Sequence, residues 1–205
     1  SAVSNDDTVG VVDVDDTVDA TTIVTNGVTI IDVSSIDFSA DGSLTIGADL
    51  GTGVVTNSST TGDGTLTFAA TTEDTTLAST TIGATGAVLK AVNVTATSAD
   101  TTSSTATLSG DIFATTVTAV ATSATNNDTI AFGDKVTATT LNLDGAGAFS
   151  FADTATAAIV ISGDSTSTVA ADQIIVGAVT NDGTTGEGTL TFAATTEDTT
   201  LASTT

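Results

Sequence analysis

The chain has 205 residues, of which 25 are acidic and only two, Lys90 and Lys135, are basic, for a formal net charge of −23. A body this acidic repels nucleic acid and anionic lipid. With no Cys and no His it has no disulfides, no thiol chemistry, no soft metal site and none of the usual nucleophile–base pairs.

Pro, Met, Trp and Tyr are also absent, and seven Phe are the only aromatics. A hydrophobic fraction of 40% and a mean hydropathy of +0.35 oppose disorder. The apolar residues are expected to be small and thinly spread, with Ala, Val and Thr lining a narrow interior. No stretch approaches the roughly 18 apolar residues of a membrane span. Ser1 is not an initiator methionine and no signal peptide opens the chain, so a removed leader or omitted flanks are expected.

Helical periodicity is nearly absent; short alternating β-branched runs sit between Gly, Asn, Asp and Ser clusters, the pattern of strands and turns. In Ser1 to Ala20, valines interleaved with aspartates read as half-exposed strands. Ile23 to Val33 surrounds Asn26-Gly27, a tight turn that serves either a hairpin or a solenoid corner. Ser35 to Phe38 and Ser43 to Ile46 follow, then Thr65 to Phe68 and a short strand near Leu77. Ala87 to Thr97, Ala106 to Leu108, Ile112-Phe113 and Val117 to Val120 come next. The remaining expected strands are Thr129 to Phe132, Val136 to Leu143, Ala148 to Phe151, Ala158 to Ile161, Ile174 to Val179 and Thr189 to Phe192.

The strongest long-range signal is a repeat. Gly53 to Thr81 (GVVTNSSTTGDGTLTFAATTEDTTLASTT) and Gly177 to Thr205 (GAVTNDGTTGEGTLTFAATTEDTTLASTT) lie 124 positions apart and agree at 25 of 29 residues, the last 18 without a mismatch. This divides the chain into an acidic β segment (1–52), one full repeat (53–176) and the start of a second (177–205). A finer comparison pairs SADTTSSTATLSGDI (98–112) with SATNNDTIAFGDKV (123–136), followed by FATTVTAV and TATTLNL. Their offset of about 24 residues is one turn of a β-solenoid, whose units span about 20 to 30 residues. Five such turns would fill the 124-residue period. The fold expected is therefore all-β, a parallel β-solenoid; tandem immunoglobulin-like β-sandwiches are the alternative, since 124 residues also suits that domain.

The mix of Thr, Ala, Val, Gly, Asn and Asp in TTIGATGAVLKAVNVTATS and KVTATTLNLDGAGAFSFAD resembles repetitive bacterial surface-layer proteins and autotransporter passenger domains. That resemblance implies a secreted, solenoid-rich structural protein, often calcium-dependent. Asn126 to Asp134 (NNDTIAFGD) resembles a calcium-binding nonapeptide repeat but lacks its tandem Gly-Gly-x-Gly-x-Asp units.

Candidate sites are few. Hard cations would need Asp carboxylates and carbonyl oxygens; the densest cluster is Asp13, Asp15, Asp16 and Asp19, with Asp6 and Asp7 nearby. Alternation would set Asp13 and Asp15 on one strand face, although an acidic edge also deters stray strand pairing. Asp63 becomes Glu187 in the second copy, which argues against a strict ligand there. Asn57, Asn93 and Asn127 each open an Asn-x-Ser/Thr sequon. Lys90 is a candidate for an isopeptide link to a nearby Asn or Asp. Thr-x-Thr triplets recur at uneven spacing and raise an ice-binding face as a minor reading. Carboxylate pairs are plentiful, but the aromatic platforms of sugar subsites and the basic residues of polyuronate-cleaving solenoids are lacking, and no phosphate-binding motif is present.

The reading these features support is a non-enzymatic extracellular structural protein of a microbial surface layer, fibre or sheath. Its expected partners are its own copies, divalent cations such as Ca2+, and a cell-surface glycan or lipid anchor. The alternative is the stalk or passenger region of a cell-surface adhesin.

Overall fold

In a computed structural model, the structure describes residues 2–5, 12–13, 18–19, 22–25, 30–31, 35–38, 42–46, 54–58, 62–70, 75–77, 81–98, 103–123, 127–170, 173–182, 188–193 and 200–202. No described residue is helical, and every pairing between the described strands is parallel (two of the registers are Ala2↔Thr22 and Thr166↔Thr189). The chain is a parallel β-solenoid. Immunoglobulin-like sandwiches are built from antiparallel sheets, so that alternative is excluded.

Each coil contributes to three faces. The first stacks Ala2–Asn5, Thr22–Thr25, Ser43–Ile46, Thr65–Ala70 and Leu89–Ala96. The second is a six-stranded sheet of Thr75–Leu77, Thr105–Leu108, Thr129–Phe132, Ala148–Phe151, Thr166–Val169 and Thr189–Phe192. Val12–Asp13 and Ile30–Ile31, a separate pair, hold the corresponding place in the chain order of the first two coils. The third stacks Val18–Asp19, Ser35–Phe38, Val54–Asn57 and Thr81–Ile82. Mid-molecule, the third and first faces merge. Ile112–Ala121 pairs with Thr81–Ile82 through Ile112 and with Leu89–Ala96 from Ala114 onward. Val136–Gly145 and Ala155–Ile161 continue the merged face, which splits again into Ile174–Val176 and Val179–Asn181 at Gly177, where φ is +138°. Ile174–Val176 then pairs with Thr200–Ala202.

Alternation sends every second side chain inward. Along the first face the inward ladder runs Leu44, Leu66, Val92, Val117, Leu141, Ile159; along the third it runs Ile36, Val55, Ile82, Ile112, Val136, Ala155, Ile175. All of these are buried in one continuous cluster. On the second face Leu108, Phe132, Phe151 and Val169 stack, with the Phe132 and Phe151 rings 5.0 Å apart and nearly parallel. The interior is heavier than the composition implies: five of the seven Phe (Phe38, Phe68, Phe132, Phe149 and Phe151) are at most 2% exposed. Among the residues whose burial is described, no Thr is buried; these threonines face outward. Their β-branched shape suits the sheet surface, while the hydroxyl keeps access to water.

The circuits differ in length because the corners do. Ile112, Val136, Ala155 and Ile175 occupy one ladder at intervals of 24, 19 and 20 residues. The 24-residue offset read from SADTT and SATNN is the observed register, with Thr105 opposite Thr129 and Leu108 opposite Phe132. Asn26-Gly27 lies outside the described residues, but the strands on either side of it do not pair with each other as a hairpin would. Thr22–Thr25 lies between Ala2–Asn5 and Ser43–Ile46, whereas Ile30–Ile31 pairs with Val12–Asp13.

The 124-residue repeat is not a whole number of turns. From Leu66 the first-face ladder passes through Val92, Val117, Leu141 and Ile159 to Val179, five circuits, and Leu190 then falls on the second face. The identical tetrapeptide TLTF therefore occupies two different faces. In its first setting Leu66 and Phe68 are fully buried between two coils; in its second, Leu190 and Phe192 are partly buried against one.

Candidate functional site

Of the acidic cluster proposed from sequence, Asp15 and Asp16 lie outside the described residues. Asp13 and Asp19 fall on different sheets: Asp13 is opposite Ile31, and Asp19 is opposite Asp37 on the third face. Among the described residues no group of three or more acids could hold a metal ion. Asp37 instead satisfies its carboxylate with hydroxyl and amide donors from the next coil: Thr56 Oγ1 at 3.0 Å, the Ser58 N–H at 3.0 Å and Ser58 Oγ at 2.5 Å.

The sequons occupy three environments. The Asn57 side chain is 4% exposed, and its Nδ2 donates to the carbonyls of Asp63 (2.9 Å) and Val88 (2.8 Å), at least one of which a glycan on Nδ2 would displace. Asn93 is half-buried within Leu89–Ala96, between Thr67 and Thr118 of the adjoining coils. Asn127 is exposed at a corner with φ +56°, a left-handed conformation that asparagine tolerates better than most residues.

Where the second face turns into the third, two acids from successive coils meet. The Lys135 N–H is shared between Asp134 Oδ1 at 3.0 Å and Asp111 Oδ1 at 3.3 Å. Burial raises the Asp111 pKa above its ordinary value, and the hydrogen-bonded, like-charged Asp134 carboxyl raises it further; Lys135 pulls the other way. Both Gly-Asp pairs are visible in the sequence, but only coil stacking brings them together.

The corner from the first face to the second is polar inside. One position before four of the six second-face strands, Ser104, Asp128, Gly147 and Ser165 stack inward and are buried, linked by Thr129 N–H to Ser104 O (2.9 Å), Ala148 N–H to Asp128 O (2.8 Å) and Thr166 N–H to Gly147 O (3.1 Å). Ser104 Oγ donates to the Ala70 carbonyl at 2.9 Å. Asp128 is 0% exposed; its Oδ2 accepts from Thr122 Oγ1 at 3.0 Å and from the Ser98 N–H at 3.3 Å. Its Oδ1 and the Ser98 Oγ are enclosed with no hydrogen-bond partner, as are Ser165 Oγ and Ser167 Oγ. A depression of about 220 Å³ opens at the same corner, lined by Asn127, Thr129, Gly147, Ala148 and Thr166 among others. Sequence reasoning passed over Asp128, although it lies inside NNDTIAFGD; a buried carboxylate has no local signature.

This chemistry of carboxylate, hydroxyl and carbonyl oxygen suits hard cations, and the sheet faces suit flat contacts. Compared with models of known protein families, with characterised proteins and with solved structures, the chain matches none.

Proposed function

We propose that this chain is a non-enzymatic structural element of an extracellular layer, fibre or sheath, acting through rigidity and association with its own copies, with divalent cations offsetting its acidity. The observation that carries the reading is the distribution of charge over a continuous stack of parallel coils. The six strands of the second face (TTL, TATL, TIAF, AFSF, TSTV and TLTF) contain no charged residue, although the chain carries −23. Two such bodies repel wherever carboxylates meet; a neutral face lets them approach.

Electron microscopy of the purified chain, with Ca2+ and with chelator, tests the reading. Ordered filaments or lattices that dissolve on chelation are expected. A chain that stays dispersed at every concentration and cation level refutes it.

Ice binding is a second reading favoured by one observation. Three Thr-x-Thr triplets, Thr105/Thr107, Thr166/Thr168 and Thr189/Thr191, share two outward rows of the second face, with Thr129/Ala131 and Ala148/Ser150 between the first and second of them. Thermal hysteresis in dilute solution would select this reading over self-association.

A further inference from the structure

Where the third and first faces merge, the solenoid presents its broadest side. Leu89–Ala96, Ile112–Ala121, Val136–Gly145 and Ala155–Ile161 lie side by side across it, and Ile174–Val176 with Val179–Asn181 adds a fifth coil. Five coils about 4.8 Å apart, with strands of roughly nine residues at about 3.3 Å each, cover about 700 Å². That is close to the ~800 Å² that each partner of a standard interface buries. The second face, with its strands of three or four residues, covers about half as much.

The outward side chains of the merged face suit a dry contact. Phe113, Thr137, Thr156 and Val176 share one outward row, and Asn142 and Val160 lie in another. Val176 is 40% exposed and Ile174 beside it 38%. On a chain of net charge −23, the strands of this side carry a single acid, Asp144, and a single lysine, Lys90. Apolar side chains left in water on a broad, sparsely charged surface mark an interaction site.

The charges at its borders favour one orientation. Both lysines stand toward the start of these strands, Lys135 just before Val136 and Lys90 second in Leu89–Ala96. The exposed acids Asp144 and Asp182 stand at the finish. Asp111, Asp134 and Asp153 also lie at the start, the first two bonded to the Lys135 N–H. Two copies laid start over start would set acids against acids at both ends. Laid start over finish, the lysines of each copy approach the finishing acids of the other.

We propose that the merged face binds the merged face of a second copy about a two-fold axis along the solenoid, the start of each strand over the finish of its counterpart. Such a contact uses the same patch twice and closes on itself. The proposal rests on the self-association reading above and deepens it: the dimer is the building unit, and the neutral second face, on the other side of the core, is left for further growth.

The test is sedimentation equilibrium of the full chain in chelator and about 0.15 M NaCl, where screening acts beyond about 8 Å. A mass twice the 19.8 kDa of the chain is expected at about 10 μM. Ala158→Asp combined with Val160→Asp, both outward on the merged face, should raise the dissociation constant about 100-fold or more. Ser150→Asp combined with Thr168→Asp, outward on the second face, should leave the dimer intact. Orientation is read by cross-linking, because the chain has no Cys and packed sheets lie about 10 Å apart. With a bifunctional maleimide of that reach, Thr156→Cys mixed with Ser162→Cys should link, and neither should link to itself. This readout also carries the test if the double aspartate variant does not fold. Monomers at every concentration up to about 1 mM, a dimer broken by the second-face pair alone, or self-linking of either cysteine variant overturns the proposal. Dimers that never grow into filaments or lattices with Ca2+ would count against the proposed function and leave this contact standing. Filaments from a monomeric chain would do the reverse.

Discussion

Replacing Phe68 and Phe192 by alanine, one at a time, compares two positions with identical flanking sequence and different surroundings. Phe68 is 0% exposed, its position held between Ile46 below and Val94 above. Deleting it removes a buried ring and leaves a sealed cavity, which costs about 3–5 kcal/mol. Phe192 stacks on Val169 alone and is partly buried. Solvent reaches the notch left behind, so only the transfer part of the loss applies, about 1–2 kcal/mol. The expected gap of roughly 2 kcal/mol is close to a 30-fold difference in equilibrium constant. Guanidinium unfolding followed by circular dichroism measures each cost. Hydrogen exchange mapped along the chain then separates local opening of one coil from global unfolding, since stacked repeats need not unfold all at once. Equal costs for the two substitutions would refute the assignment of the two TLTF copies to different faces.

Gly145→Ala should destabilise far more than Gly86→Ala. Both have positive φ, +96° and +82°, but a Cβ at Gly145 would sit 2.2 Å from the Ala121 carbonyl oxygen while Gly86 faces open space. Thermal melts should show a cost of about 1–2 kcal/mol for Gly86 and more than about 3 kcal/mol for Gly145; similar values would contradict the tight coil contact. Asn57→Asp replaces two donated hydrogen bonds with carboxylate oxygens facing carbonyls, and chemical denaturation should register a loss of about 3 kcal/mol or more. For Asp111, whose folded pKa is raised above its ordinary 3.8, the native state binds the proton more tightly than the unfolded chain. Stability from this group is therefore present at low pH and falls as pH rises through the raised value. Asp111→Asn should flatten that part of the pH–stability curve and be at least as stable as wild type at neutral pH; a steeper curve would exclude the Asp111–Asp134 contact.

Much of the local structure was legible. Thr129 to Phe132 and Ala148 to Phe151 are strands with the bounds that alternation predicts, and the 24-residue offset of two coils could be read from their resemblance. Other elements were not. Thr166–Val169, a strand made of TSTV, has no large apolar residue to mark it. Val54–Asn57 was overlooked beside the stronger repeat signal. Ile174 to Val179 reads as one strand but is broken at Gly177, where a Cβ would meet the Ala157 carbonyl at 2.0 Å. Expecting Thr in the interior failed because β-propensity says that a residue suits a sheet, not which side of it the residue will face.

Composition and alternation by themselves determined that this chain is all-β, acidic, and arranged in coils of about two dozen residues. A period-2 pattern is local: it needs only neighbouring residues, and so it survives in the sequence. Which face a strand joins is cumulative, because each corner of variable length shifts everything after it. That is why one unbroken 18-residue repeat places its TLTF on two different faces, and why Asp128, unremarkable among the acids, is enclosed. Only the stacking of coils on one another decided these outcomes, through hydrogen-bond registers that join residues 18 to 31 positions apart.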